Sequence, residues 1–143
     1  MTRPESQRST EVKDWWSKAW VALIEDRREF AKLAEEILRE QGGLTDTVIH
    51  QFTTCEQFLT AENLEDYDIC FIDGDFGYGK MKGFEAVPLI RERKPKMLIV
   101  GLTNQKLYLQ SFEDAQANLS LKKDELTHSV QQILALAPSQ KEV

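Results

Sequence analysis

Asp73 closes the apolar run Tyr67-Asp68-Ile69-Cys70-Phe71-Ile72-Asp73 and delivers a carboxylate into the Gly- and acid-rich segment Gly74-Asp75-Phe76-Gly77-Tyr78-Gly79. Upstream, Trp20-Val21-Ala22-Leu23-Ile24 runs in the same way into Glu25-Asp26. If the two runs are neighbouring strands of one sheet, three carboxylates meet in one crevice. In a partly dry site such acids repel one another, and a divalent cation bound among them makes the arrangement tolerable. A carboxylate placed there can accept a phosphoryl group, provided the charge on the equatorial oxygens is neutralised and the attack is held in line. Mg2+ suits that task, because it takes about six oxygens, commonly one or two carboxylates with a carbonyl and waters.

The elements that must position these groups follow from periodicity. After the first apolar run, Phe30, Leu33, Ala34, Ile37 and Leu38 repeat at helical spacing, and Gly42-Gly43 ends the helix. Thr47–Phe52 reads as a second strand, followed by Thr54 as an N-cap and a helix carrying Cys55, Phe58 and Leu59. A helix over Phe84–Arg93 containing Pro88 follows the Asp73 strand, and Lys94-Pro95 ends it. Met97–Leu102 is apolar on both faces, as a central parallel strand requires, and runs into Thr103-Asn104. Tyr108, Phe112 and Ala115 mark a further helix, Leu119-Ser120-Leu121 a fifth strand ending at Lys122-Lys123, and Leu126, Val130, Ile133 and Leu134 the stripe of a last helix. Strands alternating with helices imply an α/β fold: a flavodoxin-like, doubly wound, five-stranded parallel sheet with helices on both faces. Ligands of such sheets bind beyond the carboxyl ends of the strands, where strand order reverses. Glu25, Asp26, Asp73, Asp75, Thr103 and the Lys122-Lys123 pair all fall on that edge.

Residues 1–14 are rich in Ser, Thr, Arg, Glu and Pro and are expected to be a flexible arm; residues 15–137 form the domain and 138–143 a tail. Trp15, Trp16 and Trp20 cap the core in the plainer reading, with a partner-docking patch as the alternative. The 143 residues suit one domain, and a net charge of -6, from 24 acidic against 18 basic residues, argues against nucleic acid as a partner. Cys55 and Cys70 are too few for a disulfide framework and read as reduced, buried thiols. No apolar run has the length of a membrane span and no signal core opens the chain, so no membrane partner and a cytoplasmic location are expected. His50 and His128 have no ligand spacing and read as structural or surface residues.

Taken in order, Glu25-Asp26 after the first strand, Asp73 after the third, Thr103 after the fourth and Lys122 after the fifth resemble the receiver domains of two-component response regulators over roughly residues 19–136. The resemblance implies that Asp73 is the phosphoacceptor for a histidine kinase or phosphotransfer protein. It also implies that Glu25, Asp26, Asp73 and the backbone carbonyl of Asp75 hold Mg2+, and that Thr103 and a lysine contact the phosphoryl oxygens. Lys122, directly after the strand, is favoured over Lys123 for that lysine. The implied protein is a stand-alone receiver that signals through an unidentified downstream protein or a homodimer; it is a phosphoacceptor rather than an enzyme.

The chain also departs from the family pattern. No Pro lies between Asp73 and Gly83, and Met81-Lys82-Gly83 matches the family's Met-Asp-Gly with two residues inserted before it. The segment Gly77-Tyr78-Gly79-Lys80 is therefore expected to bulge over the site, where it either alters access by a kinase or brings Lys80 near the acids. Leu119 or Ser120 stands where a switch aromatic is usual, Lys123 where a Pro commonly follows the lysine, and Asn104 where a small residue follows the threonine. These changes raise a second reading, a pseudo-receiver that binds a partner and takes no phosphate. A third, an Asp-x-Asp phosphatase built on Asp73 and Asp75, conflicts with the position of the motif on the third strand rather than the first. Glu25 and Asp26 also have a plainer role at the start of a helix, where the dipole favours acids.

Overall fold

The strands with the most continuous apolar sequence take the middle of the sheet. β3 (Ile69–Asp73) is buried at every position, and β1 (Trp20–Ile24) and β4 (Leu98–Thr103) at all but their first residues. The more polar β2 (Val48–Phe52) and β5 (Leu119–Lys122) are the edges. All pairings are parallel and the order is β2-β1-β3-β4-β5. The chain thus steps outward from β1 to β2, returns past β1 to β3, and continues in the opposite direction. Strand order reverses between β1 and β3, which opens a crevice at their carboxyl ends. These relations come from a computed structural model that describes residues 5–138; no helix among them is long and apolar enough to cross a membrane.

The pleat sends alternate side chains to opposite faces. On one face Val21, Leu23, Ile69, Phe71 and Val100 pack against α2 (Arg28–Glu40) and α6 (Val130–Leu134). On the other, Ala22, Ile24, Cys70, Ile72 and Ile99 meet α3 (Cys55–Leu59), α4 (Gly83–Arg93) and α5 (Lys106–Asp114). Both thiols are buried and free, and burial pushes that of Cys55 up to about 12, so neither is a reactive thiolate near neutral pH. Thr54 caps α3 by accepting from the Gln57 backbone N–H, and α4 runs through Pro88 without ending.

Two expected elements take a different form. Residues 5–14, read as part of a flexible arm, belong to a helix, α1 (Glu5–Lys18), while the rest of that arm lies outside the described residues. The cause is tertiary. Trp16 is fully buried, its indole N–H donates to the Leu134 carbonyl at 3.1 Å, and its own carbonyl accepts from the Thr47 hydroxyl at 2.7 Å. Trp15 packs edge-on against it, 4.9 Å between centroids, so the aromatic pair fastens a polar helix to the core. Trp16→Phe keeps most of the buried area but removes the indole donor from the Leu134 carbonyl, which retains only the longer bond from the Ala137 N–H at 3.3 Å, and should lower stability by about 1–2 kcal/mol in urea titration. An unchanged midpoint would mean that α1 is not docked through this contact. The last helix is likewise divided: Lys123–His128 is a 3-10 turn, Ser129 breaks the helical backbone, and only Val130–Leu134 is α-helical. Leu126, Val130 and Ile133 are buried as their spacing predicts. Spacings of three and four suit both helix types, so the pattern could not choose between them.

Candidate phosphoacceptor site

The crevice collects the acids that the two central strands end in. Glu25 continues the β1 ladder by donating its N–H to the Phe52 carbonyl at 2.8 Å, and Asp73 is the last residue of β3. Glu25, Asp26 and Asp73 each place a carboxylate oxygen within 4.8 Å of the other two; Glu25 and Asp73 are buried and Asp26 is exposed. Crossing the crevice, the Lys123 ammonium lies 2.8 Å from Glu25 Oε2 and 3.3 Å from Asp73 Oδ1, and it is itself only 12% exposed. Its third neighbour is the ring of Phe30 in the first turn of α2, 4.4 Å from ammonium to centroid.

These positions exchange the roles of the two lysines. Lys122, expected to face the acids, is exposed and lies opposite Thr103 in the β4–β5 register; Lys123 makes both ion pairs. The reason is alternation. Val21, Leu23 and Glu25 share one face with Ile69, Phe71 and Asp73, and on β5 that face belongs to Leu119 and Leu121, hence next to Lys123. Carrying the two-residue period one step further was the signal that could have found it. Phe30 had no comparable signal, because its contact joins α2 to the end of β5 across the sheet.

Burial sets the electrostatics. Loss of solvation pushes the Glu25 carboxyl up to about 7, aided by the neighbouring Asp73 charge and opposed by Lys123 and by the Arg27 backbone N–H, which donates to Oε1 at 3.0 Å. Burial also raises Asp73 above the ordinary carboxylate range, against the pull of Lys123. Glu25 Oε2 meets the Lys123 ammonium at 2.8 Å, a charge it shares with Asp73. Three carboxylates facing that one ammonium leave negative charge uncompensated, the donor set a hard divalent cation satisfies, and the cluster fits a receiver-type Mg2+ site. Because the folded-state value of Glu25 lies above its ordinary 4.5, its contribution to stability is fully present below about pH 4.5 and is lost as pH rises through about 7. The loss should amount to roughly 3 kcal/mol. Urea titrations from pH 5 to 8 should show this slope in the wild type and not in Glu25→Gln; equal slopes would refute it.

The remaining predicted residues ring the acids. Thr103 is buried, its hydroxyl accepts from the Gln105 backbone N–H at 3.1 Å, and a side chain at Gly74 would meet that hydroxyl at 3.2 Å, so it stands beside the residue following Asp73. The Asp75 carboxylate is engaged on the rim: Lys82 reaches it at 2.8 Å, Gly77 N–H at 3.0 Å and the Gln105 amide at 3.2 Å. Lys82, rather than the exposed Lys80, is therefore the loop lysine that meets an acid. The loop turns outward at Gly77 and Gly79, both in the left-handed region, and leaves Tyr78 fully exposed. It closes on Gly83, whose N–H donates to the Gly74 carbonyl at 3.2 Å and where a Cβ would fall 2.0 Å from the Asp73 carbonyl oxygen. Only glycine allows that approach, and two inserted residues leave it intact.

The family model for the response regulator receiver domain matches residues 21–135, from the first strand through the last helix. The chain belongs to that family. Solved receiver structures share its fold. The Vibrio cholerae chemotaxis protein CheY4 is similar with a TM-score of 0.66 at 18% identity, over 84% of this chain and 98% of that one. The receiver domain of NtrX from Brucella abortus has a TM-score of 0.64 at 16% identity, over 80% and 98%. The response regulator DrrB of Thermotoga maritima has a TM-score of 0.64 at 21% identity, over 82% of this chain and 54% of that one. No curated protein sequence matches the chain. At these identities the structural likeness establishes the receiver fold, and the chemistry rests on this chain's own side chains.

Proposed function

We propose that this receiver domain accepts a phosphoryl group on Asp73 from a histidine kinase or phosphotransfer protein, in a Mg2+-dependent reaction, and passes the signal on through protein contacts. The observation that carries the reading is the meeting of Glu25, Asp26 and Asp73 in one crevice with the largely shielded Lys123 ammonium among them. In the transfer, an oxygen of Asp73 forms an O–P bond as the P–N bond of the donor phosphohistidine breaks, and the imidazole leaves with the electron pair and takes up a proton. Asp26, Asp73, Glu25 and the backbone carbonyl of Asp75 would hold Mg2+; when bound, it neutralises charge on the phosphoryl oxygens. Lys123 ion-pairs with one of those oxygens once Asp73 is esterified, and the Thr103 hydroxyl donates to another. Recruiting that hydroxyl draws the β4–α5 loop inward, which turns a change of charge into a change of surface.

Output follows a route of its own in this chain. With Lys123 in the lysine position, Ser120 stands three residues before it, where a switch aromatic is usual, and its hydroxyl donates to the Leu109 carbonyl of α5 at 2.8 Å. A serine tied to α5 supports coupling through that helix rather than through a rotating ring. Incubation with acetyl phosphate and Mg2+ tests the function: the intact protein should gain the mass of one phosphoryl group and lose it again by hydrolysis. No gain with acetyl phosphate, together with no binding of beryllofluoride, would replace this reading by that of a partner-binding pseudo-receiver.

A further inference from the structure

We infer that Phe30 is a positioning residue for phosphoryl transfer, its ring face holding the Lys123 ammonium against Glu25 and Asp73 before phosphate arrives; the inference rests on the receiver reading of the site. Phe30 lies four residues beyond Asp26, so one short segment supplies both the acidic pair and the ring. The ammonium is 4.4 Å from the ring centroid, 2.8 Å from Glu25 and 3.3 Å from Asp73, which makes the ring one wall of a three-sided seat. An aromatic face carries negative potential and attracts a cation, the more so where water is excluded, and this lysine is 12% exposed.

The seat answers a specific difficulty. A lysine ammonium is a strongly hydrated point charge on a flexible stem, free to turn outward to solvent. Both carboxylates that hold it are also the groups that take part in phosphoryl acceptance, so their hold weakens as the site is occupied. Phe30 is half-buried against the core, carries no charge and stays in place through such a change. It keeps the ammonium within reach of the position where phosphoryl charge appears.

Two readouts in the full chain test this, one of them independent of phosphate and metal. The rate of reductive methylation of Lys123, followed by peptide mass spectrometry, should rise about fivefold in Phe30→Leu and remain near wild type in Phe30→Tyr, with the other lysines unchanged. Phosphorylation by acetyl phosphate at fixed Mg2+ should slow by about fivefold in Phe30→Leu and recover in Phe30→Tyr. Phenylalanine with increasing fluorination at position 30 keeps the shape while draining the ring's negative face, so it remains informative if the leucine variant folds poorly. Both rates should then change stepwise with fluorine content. Wild-type rates in Phe30→Leu, or rates flat across the fluorinated series, would reduce Phe30 to a packing residue and overturn the inference. A wild-type protein that takes no phosphate would instead defeat the receiver reading, while the methylation rates would still decide whether the ring holds the lysine.

Discussion

Asp73→Asn should abolish phosphorylation by acetyl phosphate, slowing formation of the phosphorylated protein by at least about two orders of magnitude, while the fold is retained. The amide has the size and shape of the carboxyl group but no anionic oxygen with which to form the O–P bond. Loss of folding would not explain such a result. Burial disfavours the ionised form of Asp73, so the neutral amide removes a charge that the site accommodates at a cost, and Lys123 keeps its closer partner Glu25. Thermal melting without Mg2+ should accordingly give a midpoint no lower than that of the wild type. Intact-mass measurement reads the phosphorylation, and peptide mapping of the wild type locates it. A label on Asp26 or Asp75, or undiminished labelling of the variant, would remove Asp73 from its proposed role.

Lys123→Ala and Lys122→Ala should behave as opposites although the residues are adjacent. Removing the Lys123 side chain leaves Glu25 and Asp73 buried and facing one another without a cation. A broken buried ion pair costs several kcal/mol; protonation of Glu25 relieves part of it, so a loss of about 3 kcal/mol near pH 8 is expected. Added Mg2+ should recover more of this loss than it adds to the wild type, because it replaces the missing positive charge. Phosphorylation should also slow. Lys122 is exposed, and its removal should alter stability by no more than about 0.5 kcal/mol. Urea titrations of both variants at two Mg2+ concentrations make the comparison; equal losses, or a larger one in Lys122→Ala, would contradict the placement of Lys123.

The two lysines also show where sequence reasoning stopped. The expectation for Lys122 relied on adjacency to the strand end, whereas a strand presents its side chains by parity. Counting from Leu119 through Leu121 leads to Lys123, so parity resolves a choice that adjacency leaves open between the two lysines. The docking of α1 was of another kind. Its sequence is polar enough to suggest an unstructured arm, and what orders it is the burial of Trp16 together with a hydrogen bond to Leu134, 118 residues away. Lys82 and Asp75 are similar, since the loop lysine that meets an acid depends on how the inserted residues turn at Gly77 and Gly79.

Taken alone, the sequence determined the sheet and the identity of its acids. Five apolar runs separated by helical periodicity leave few arrangements other than a doubly wound parallel sheet with its acids on the carboxyl edge, while the order β2-β1-β3-β4-β5 that sets β1 beside β3 was left to the tertiary structure. Local patterning suffices there because burial on one or two faces is written into residue order at periods of 2 and 3.6. Only the tertiary structure decided which ring covers the lysine, how the lengthened loop turns at Gly77 and Gly79, and that a tryptophan fastens α1. Each of those depends on contacts between segments distant in the chain, and no periodicity within a single segment encodes them.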